Sequence, residues 1–234
     1  MKIDILTLFP KMFDTLNESI IGKAIERGKV QVETHDFREF TLNKHLKVDD
    51  TPYGGGHGMV ISVEPVDRCM QSLDRTEKTK VILVSPQGTP LSHKKAVELS
   101  KEEHLVFLCG HYEGFDERVH KMFVDEEISI GDYVLTGGEL AAMVIIDATV
   151  RLLPDVLGNE MSHLDDSFAN VLLDHDHYTR PASYAGHDVP EVLLSGNHGK
   201  IEEWRNNSKI TNTKEKRPDI YEKWVNDRKV NNGE

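Results

Sequence analysis

KVILVSPQGTPLSHKKAVELSKEEHLVFLCG, residues 80–110, decides the fold. Its first piece, KVILVS (80–85), is a short apolar, β-branched run closed by Pro86, Gln87 and Gly88, and it reads as a buried strand followed by a turn. SHKKAVELSK (92–101) reads as a helix, and HLVFLCG (104–110) as the next strand. Both strands are apolar throughout rather than alternating, as strands covered on two faces must be, so the unit belongs to an α/β domain with a largely parallel sheet. Working outward, KIDILTL (2–8) and VQVETHDF (30–37) read as strands, and EISIGDYVL (127–135) holds a short one. Helices are expected over residues 11–27, with a break near Asn17 and a stop at Gly28, and over 64–73. The most apolar helix, GGELAAMVIIDATVRLLP (137–154), starts on glycine and stops at proline.

Length and charge narrow the classes. The 234 residues suffice for one or two domains with a full core. With 28 basic and 40 acidic residues the net charge is 28 − 40 = −12, which excludes non-specific coating of nucleic acid through bulk positive charge. Cys69 and Cys109 lie 40 positions apart, outside any CxxC or C-x-H grouping, which excludes a disulfide framework and a thiolate zinc site. The opening MKIDILTLFP is too short in apolar residues for a signal peptide, and no run approaches a membrane span, so a soluble, cytoplasmic protein is expected. Composition shifts after Leu157: seven acids face one arginine (Arg180) between Asn159 and Glu191, and GNEMSHLDDSF reads as a mobile linker. The tail from Lys200 to Glu234 has nine basic and seven acidic residues and reads as two helices divided near Arg217-Pro218.

Four glycine-bearing turns stand out: PYGGGHGM (52–59), SPQGTP (85–90), CGHYEGFDER (109–118) and IGDYVLTGGE (130–139). None fits a phosphate-binding Walker pattern or the dinucleotide GxGxxG after a strand. Each alone is a chain reversal. Three of them follow apolar strands, and ligands bind at that carboxyl edge of an open α/β sheet. Asp116 suits a helix cap, whereas Glu113 between turn residues is the odder acid. Arg151 reads either as a helix-end cation paired with Asp147 or as a functional group, and Asp165 and Asp166 as solvated loop acids. His175 and His177 suggest a metal only weakly, because a third spaced ligand is lacking.

The ordered set PYGGGHGM, SPQG, CGHYEGFDER, SIGDYVLTGGEL, DDSF, HYTRP and VLLSGNH resembles the bacterial tRNA (guanine-N1)-methyltransferases of the SPOUT class, the TrmD family, from KIDILTLFP to about Trp224. The resemblance implies a knotted S-adenosylmethionine-binding α/β domain over 1–158, with a deep trefoil knot that departs from the usual rule against knotted chains. A flexible linker over 159–174 and a helical tRNA-binding domain over 175–234 would follow. It implies a homodimer with shared active sites that methylates N1 of guanosine at tRNA position 37. Carried over by motif, the cofactor would lie among Ser85, Pro86, Gly88, Gly110, Ile130, Gly131, Asp132, Tyr133, Val134, Leu135, Gly137 and Gly138. Asp166 matches the general base that removes the N1 proton, Arg151 the cation that meets charge on guanine O6, and Tyr112 and Glu113 residues near the guanine. A magnesium requirement is implied too, with Glu113 and Asp166 as candidate ligands. A loop that orders on tRNA binding would explain why Asp166 sits in an unstructured-looking segment.

Departures from the family pattern are Ala141 in place of proline after GGEL, His111 where some relatives carry arginine, and His57 in the glycine loop. The tail together with Lys44, Lys47, Arg180 and Lys209 could form a tRNA-binding face. Three other readings compete: a knotted RNA ribose 2′-O-methyltransferase, a metal-dependent hydrolase built on His163, Asp165, Asp166, His175 and His177, and a non-catalytic RNA-binding module.

Overall fold

The structure, a computed structural model, describes residues 1–157 and 166–231. The chain divides into two compact units, Met1–Glu160 and Met161–Glu234. The first unit is built on a five-stranded sheet of β1 (Lys2–Thr7), β2 (Gln31–Asp36), β5 (Thr79–Pro90), β6 (His104–Cys109) and β7 (Glu126–Ser129), in the order β2-β1-β6-β5-β7. Every neighbouring pair is parallel, so the expected sheet is found, without an antiparallel member. The two-residue strands β3 (Asp49–Asp50) and β4 (Val60–Ile61) form a separate antiparallel pair.

Both faces of the sheet are covered, which is why its strands read as unbroken apolar runs. Alternate residues point to opposite sides. Ile3, Ile5, Ile82, Val84, Leu105 and Phe107 pack with Ile21 and Ala24 of α1 (Ser19–Glu26), Leu99 of α3 (His93–Leu99) and Ile145 and Ile146 of α5 (Glu139–Val150). Leu6, Val81, Leu83, Val106 and Leu108 pack with Val66 and Met70 of α2 (Val63–Ser72) and Val119 of α4 (Glu117–Phe123). The two cysteines are free and buried in these opposite clusters. Burial pushes the Cys69 thiol up to about 12, and pushes Cys109 well above its ordinary value, which leaves both poorly reactive.

The boundaries moved where backbone geometry overrode residue preference. The expected helix over 11–27 is a 3-10 segment, Pro10–Asn17, followed by α1, and Gly22 is seated so closely that a Cβ would lie 2.0 Å from the Asn17 carbonyl oxygen. The expected turn at Pro86–Gly88 is an excursion within β5: Ile128 stands opposite both Val84 and Thr89, so the four intervening residues bulge from the ladder. A Cβ on Gly88 would fall 2.5 Å from the Glu127–Ile128 backbone. Residues after Ser129 leave the sheet through Gly131 at φ +150°, so the short strand expected within 127–135 is found at its start, as Glu126–Ser129.

In the second unit, a short hairpin joins Ser183–Tyr184 (β8) to His187–Asp188 (β9) through Ala185 and Gly186, both at positive φ as a tight hairpin requires. The helices are α6 (Glu191–Leu194), α7 (His198–Lys216) and α8 (Pro218–Asn231). Asn197 caps α7 by accepting from the Lys200 N–H at 3.2 Å, and Pro218 separates the last two helices at the expected position. Of the expected linker, residues 159–165 lie outside the described residues, His163 and Asp165 among them. Its other end is tied down: the Leu173 N–H donates to Thr213 Oγ1 on α7 and the Asp174 N–H to Ser167 Oγ, each at 2.9 Å. Among the described residues, no helix is long and apolar enough to cross a membrane.

Candidate active site

At the carboxyl ends of β5, β6 and β7 a cleft of about 480 Å³ opens. Ser85 and Pro86 reach it from the bulge in β5, Gly110, Tyr112 and Glu113 from the loop after β6, and Ile130, Gly131, Tyr133, Val134, Leu135, Gly137 and Gly138 from the segment between β7 and α5. Three turns far apart in sequence thus become one wall. Gly138 shows why glycine is needed there: its N–H donates to the Gly110 carbonyl at 2.9 Å, and a Cβ would meet Val84 Cγ2 at 2.6 Å and Cys109 Cα at 2.9 Å. Two expected cofactor contacts, Gly88 and Asp132, do not line the cleft. Gly88 is required instead by the close approach of β7.

The glycine loop of residues 52–59 reaches Glu113 from the side. The Glu113 N–H donates to the Met59 carbonyl at 3.0 Å, the Ile61 N–H to Gly114 at 2.9 Å and the Asp116 N–H to Ile61 at 2.9 Å. Gly58, at φ +86°, makes room for the Glu113 side chain, since a Cβ there would be 2.4 Å from Oε1. Glu113 and Tyr112 are exposed at the cleft. Asp116 caps α4 by accepting from the Arg118 N–H at 2.9 Å, and the Arg118 guanidinium holds its carboxyl down at about 2. The capping expectation for Asp116 is therefore met.

Arg151 caps the carboxyl end of α5, its backbone N–H bonding the Asp147 carbonyl at 3.3 Å, and it does not line the cleft. Asp166 is half-buried in the second unit, where its carbonyl accepts from the Ala169 N–H at 3.2 Å. The structure does bring His175 and His177 to one carboxylate, that of Asp174. The His177 Nε2 bond to Asp174 Oδ2 at 2.9 Å, and the His175 Nδ1 bond to the Asp176 carbonyl at 2.9 Å, account for this group as a hydrogen-bonded corner of the unit.

Sequence reasoning missed a buried network at the cleft's edge. Glu139, 1% exposed, accepts from Thr7 Oγ1 at 2.7 Å through Oε1 and from His111 Nε2 at 2.8 Å through Oε2. Nothing in the sequence sets Glu139 apart from other first-turn acids except its place after two glycines.

An all-parallel sheet with a glycine-lined cleft at its carboxyl edge defines an α/β protein of the kind that holds a ligand at that edge. The chain matches the family model described as tRNA (Guanine-1)-methyltransferase TrmD over residues 1–223. It is 60% identical over 225 residues to proteins named tRNA (guanine-N(1)-)-methyltransferase from Staphylococcus aureus strains JH9 and Newman, covering 96% of this chain and 92% of each relative. The chain belongs to the TrmD family of tRNA (guanine-N1)-methyltransferases, and its activity is methylation of guanine N1 in tRNA.

Proposed function

We propose that the protein transfers the methyl group of S-adenosylmethionine to N1 of the guanosine at position 37 of tRNA, in the cytoplasm, as a homodimer with shared active sites whose first domain carries a deep trefoil knot. The observation that carries the cofactor reading is the cleft walled by Ser85–Pro86, Gly110 and Gly137–Gly138. Its volume, about 480 Å³, lies within the usual range for a ligand of this size, and its wall offers backbone polar groups beside Ile130 and Leu135. The close seating of Gly138 against Val84 and Cys109 supports a tightly threaded chain at that place. Leu140 and Val144, one turn apart on α5 and 51% and 47% exposed, support a second copy packing on that helix.

When bound, S-adenosylmethionine supplies an electrophilic methyl on a sulfonium. The chain's own residues supply the rest. Guanine N1 carries a proton that must leave for the nitrogen to take a methyl group, and the Asp166 carboxylate would be the group that accepts it. The Arg151 guanidinium meets the negative charge that builds on O6. Tyr112 and Glu113, exposed at the cleft, hold the base beside the methyl donor. Magnesium keeps most of its waters and uses one or two carboxylates, so Glu113 and Asp166 fit it in donor type. The division of labour follows the two units: Met1–Glu160 contains the cleft, and Met161–Glu234 contains Asp166 and the basic tail.

The deciding test is methyl transfer from labelled S-adenosylmethionine to two tRNA transcripts, with guanine or adenine at position 37. Transfer to the guanine transcript alone, abolished by Asp166→Ala, supports the assignment. Transfer to both, or a fully active variant, would sink the position or the base. Mass spectrometry of the digested product separates N1 methylation from a ribose methyl.

A further inference from the structure

The network of Thr7, Glu139 and His111 has no place in the chemistry above, yet it joins three elements at the cleft's rim: the end of β1, the loop after β6 and the start of α5. A buried carboxylate is costly to keep, and an apolar side chain would fill the same space at less cost. Glu139 is held at both oxygens and lies in the first turn of a 12-residue helix. What this arrangement holds in place is His111. The imidazole lies against Phe9, with ring centroids 4.8 Å apart, and directly over Gly137. A Cβ on Gly137 would lie 2.2 Å from His111 Nε2 and 2.6 Å from Glu139 Oε2. His111 and Gly137 are bridged backbone to backbone, and Gly138 is bonded to Gly110 beside them. The ring, the carboxylate and the two glycines therefore form one packed unit, of which His111, Gly137 and Gly138 line the cleft.

We infer that Glu139 is a positioning residue for the cofactor: through His111 it holds the Gly137–Gly138 backbone in the conformation that completes the cleft wall. This rests on the reading of the cleft as the S-adenosylmethionine site. Without the Glu139 acceptor the imidazole is left, among the described residues, with ring contacts to Phe9 and Tyr112 and no side-chain hydrogen bond to hold it over Gly137, and the wall samples conformations that do not receive the ligand. Apparent affinity falls by the fraction of time the wall is formed.

The test is calorimetric binding of S-adenosylhomocysteine to the full-length protein, with steady-state kinetics on tRNA alongside. Glu139→Gln and His111→Phe are expected to weaken binding about tenfold, the loss of one charge-assisted hydrogen bond. The KM for the cofactor should rise while that for tRNA stays within about twofold, a split that general destabilisation would not produce. His111→Arg, which keeps a donor able to reach Oε2, should stay within about threefold of wild type. Should Glu139→Gln not fold, His111→Phe, at a partly exposed site, carries the comparison alone. Wild-type binding with both variants unimpaired, or an equal rise in the two KM values, would overturn the inference and leave the cleft reading intact. No binding by the wild type would overturn both.

Discussion

Asp4 lies in the middle of β1 at 0% exposure and has three partners: His35 Nε2 and His104 Nε2, each at 2.7 Å, and Lys2 Nζ at 3.0 Å. Burial alone would raise its carboxyl; the hydrogen bonds from His35, Lys2 and His104 outweigh it and bring the group down to about 2. A carboxyl held below its unfolded value stabilises the fold above about pH 4, and that contribution is lost as pH falls toward 2. Its size is about 2 kcal/mol at neutral pH. Asp4→Asn should therefore lower the melting temperature at pH 7 and narrow its gap to wild type by pH 3; an unchanged gap would refute the attribution. At the cleft, Gly58→Ala sets a methyl 2.4 Å from Glu113 Oε1 and must displace that side chain. Methyl transfer should fall by on the order of tenfold or more through misplacement of the base, while S-adenosylhomocysteine affinity stays near wild type. Residues of this kind were only half legible. The oddness of Glu113 could be read from its flanking turn residues, but its dependence on Gly58, 55 positions away, could not.

Among the elements, β5 and α5 carry the most. β5 keeps pairing with β7 on both sides of the bulge because Gly88 lets the Glu127–Ile128 backbone approach. Gly88→Ala should cost about 2 kcal/mol or more by overpacking against backbone that cannot yield, read as a lowered urea midpoint. The same change should loosen Ser85 and Pro86 at the cleft. Helix α5 buries Ile145, Ile146 and Val150 but leaves Leu140 and Val144 exposed. On the proposed homodimer reading, Leu140→Asp with Val144→Asp should turn a dimer into a monomer in light scattering and remove methyl transfer with it; a wild type that is already monomeric would refute that reading. A dimer that survives both changes would place the subunit contact elsewhere. The five strands of the main sheet, the longer helices and even the break near Asn17 were readable because hydrophobic period and proline or glycine stops are local signals, whereas the two-residue strands were not. The bulge was not, since it depends on a neighbour 40 residues on.

For the whole molecule, net charge and substrate pull in opposite directions. At −12 the chain repels a polyanion at long range, and the tail, with nine basic and seven acidic residues, is the region proposed to meet tRNA. Affinity for tRNA should fall by about tenfold or more between roughly 50 and 200 mM salt, and substituting Lys200, Arg205 and Lys214 together should flatten that slope. A salt-independent affinity would contradict electrostatic docking. What the sequence by itself determined was the order of the five sheet strands and the longer helices along the chain, the parallel sheet, the glycine turns at its edge and the membership in a family, because each rests on local pattern or on motifs in fixed order. What only the tertiary structure decided was which side chains and backbones touch at that edge. It set Gly58 beside Glu113, seated Gly88 against the backbone of β7, and placed Glu139 under His111. Those facts come from close approach between distant segments, where the absence of a Cβ or the burial of one carboxylate is settled by neighbours that no local pattern encodes.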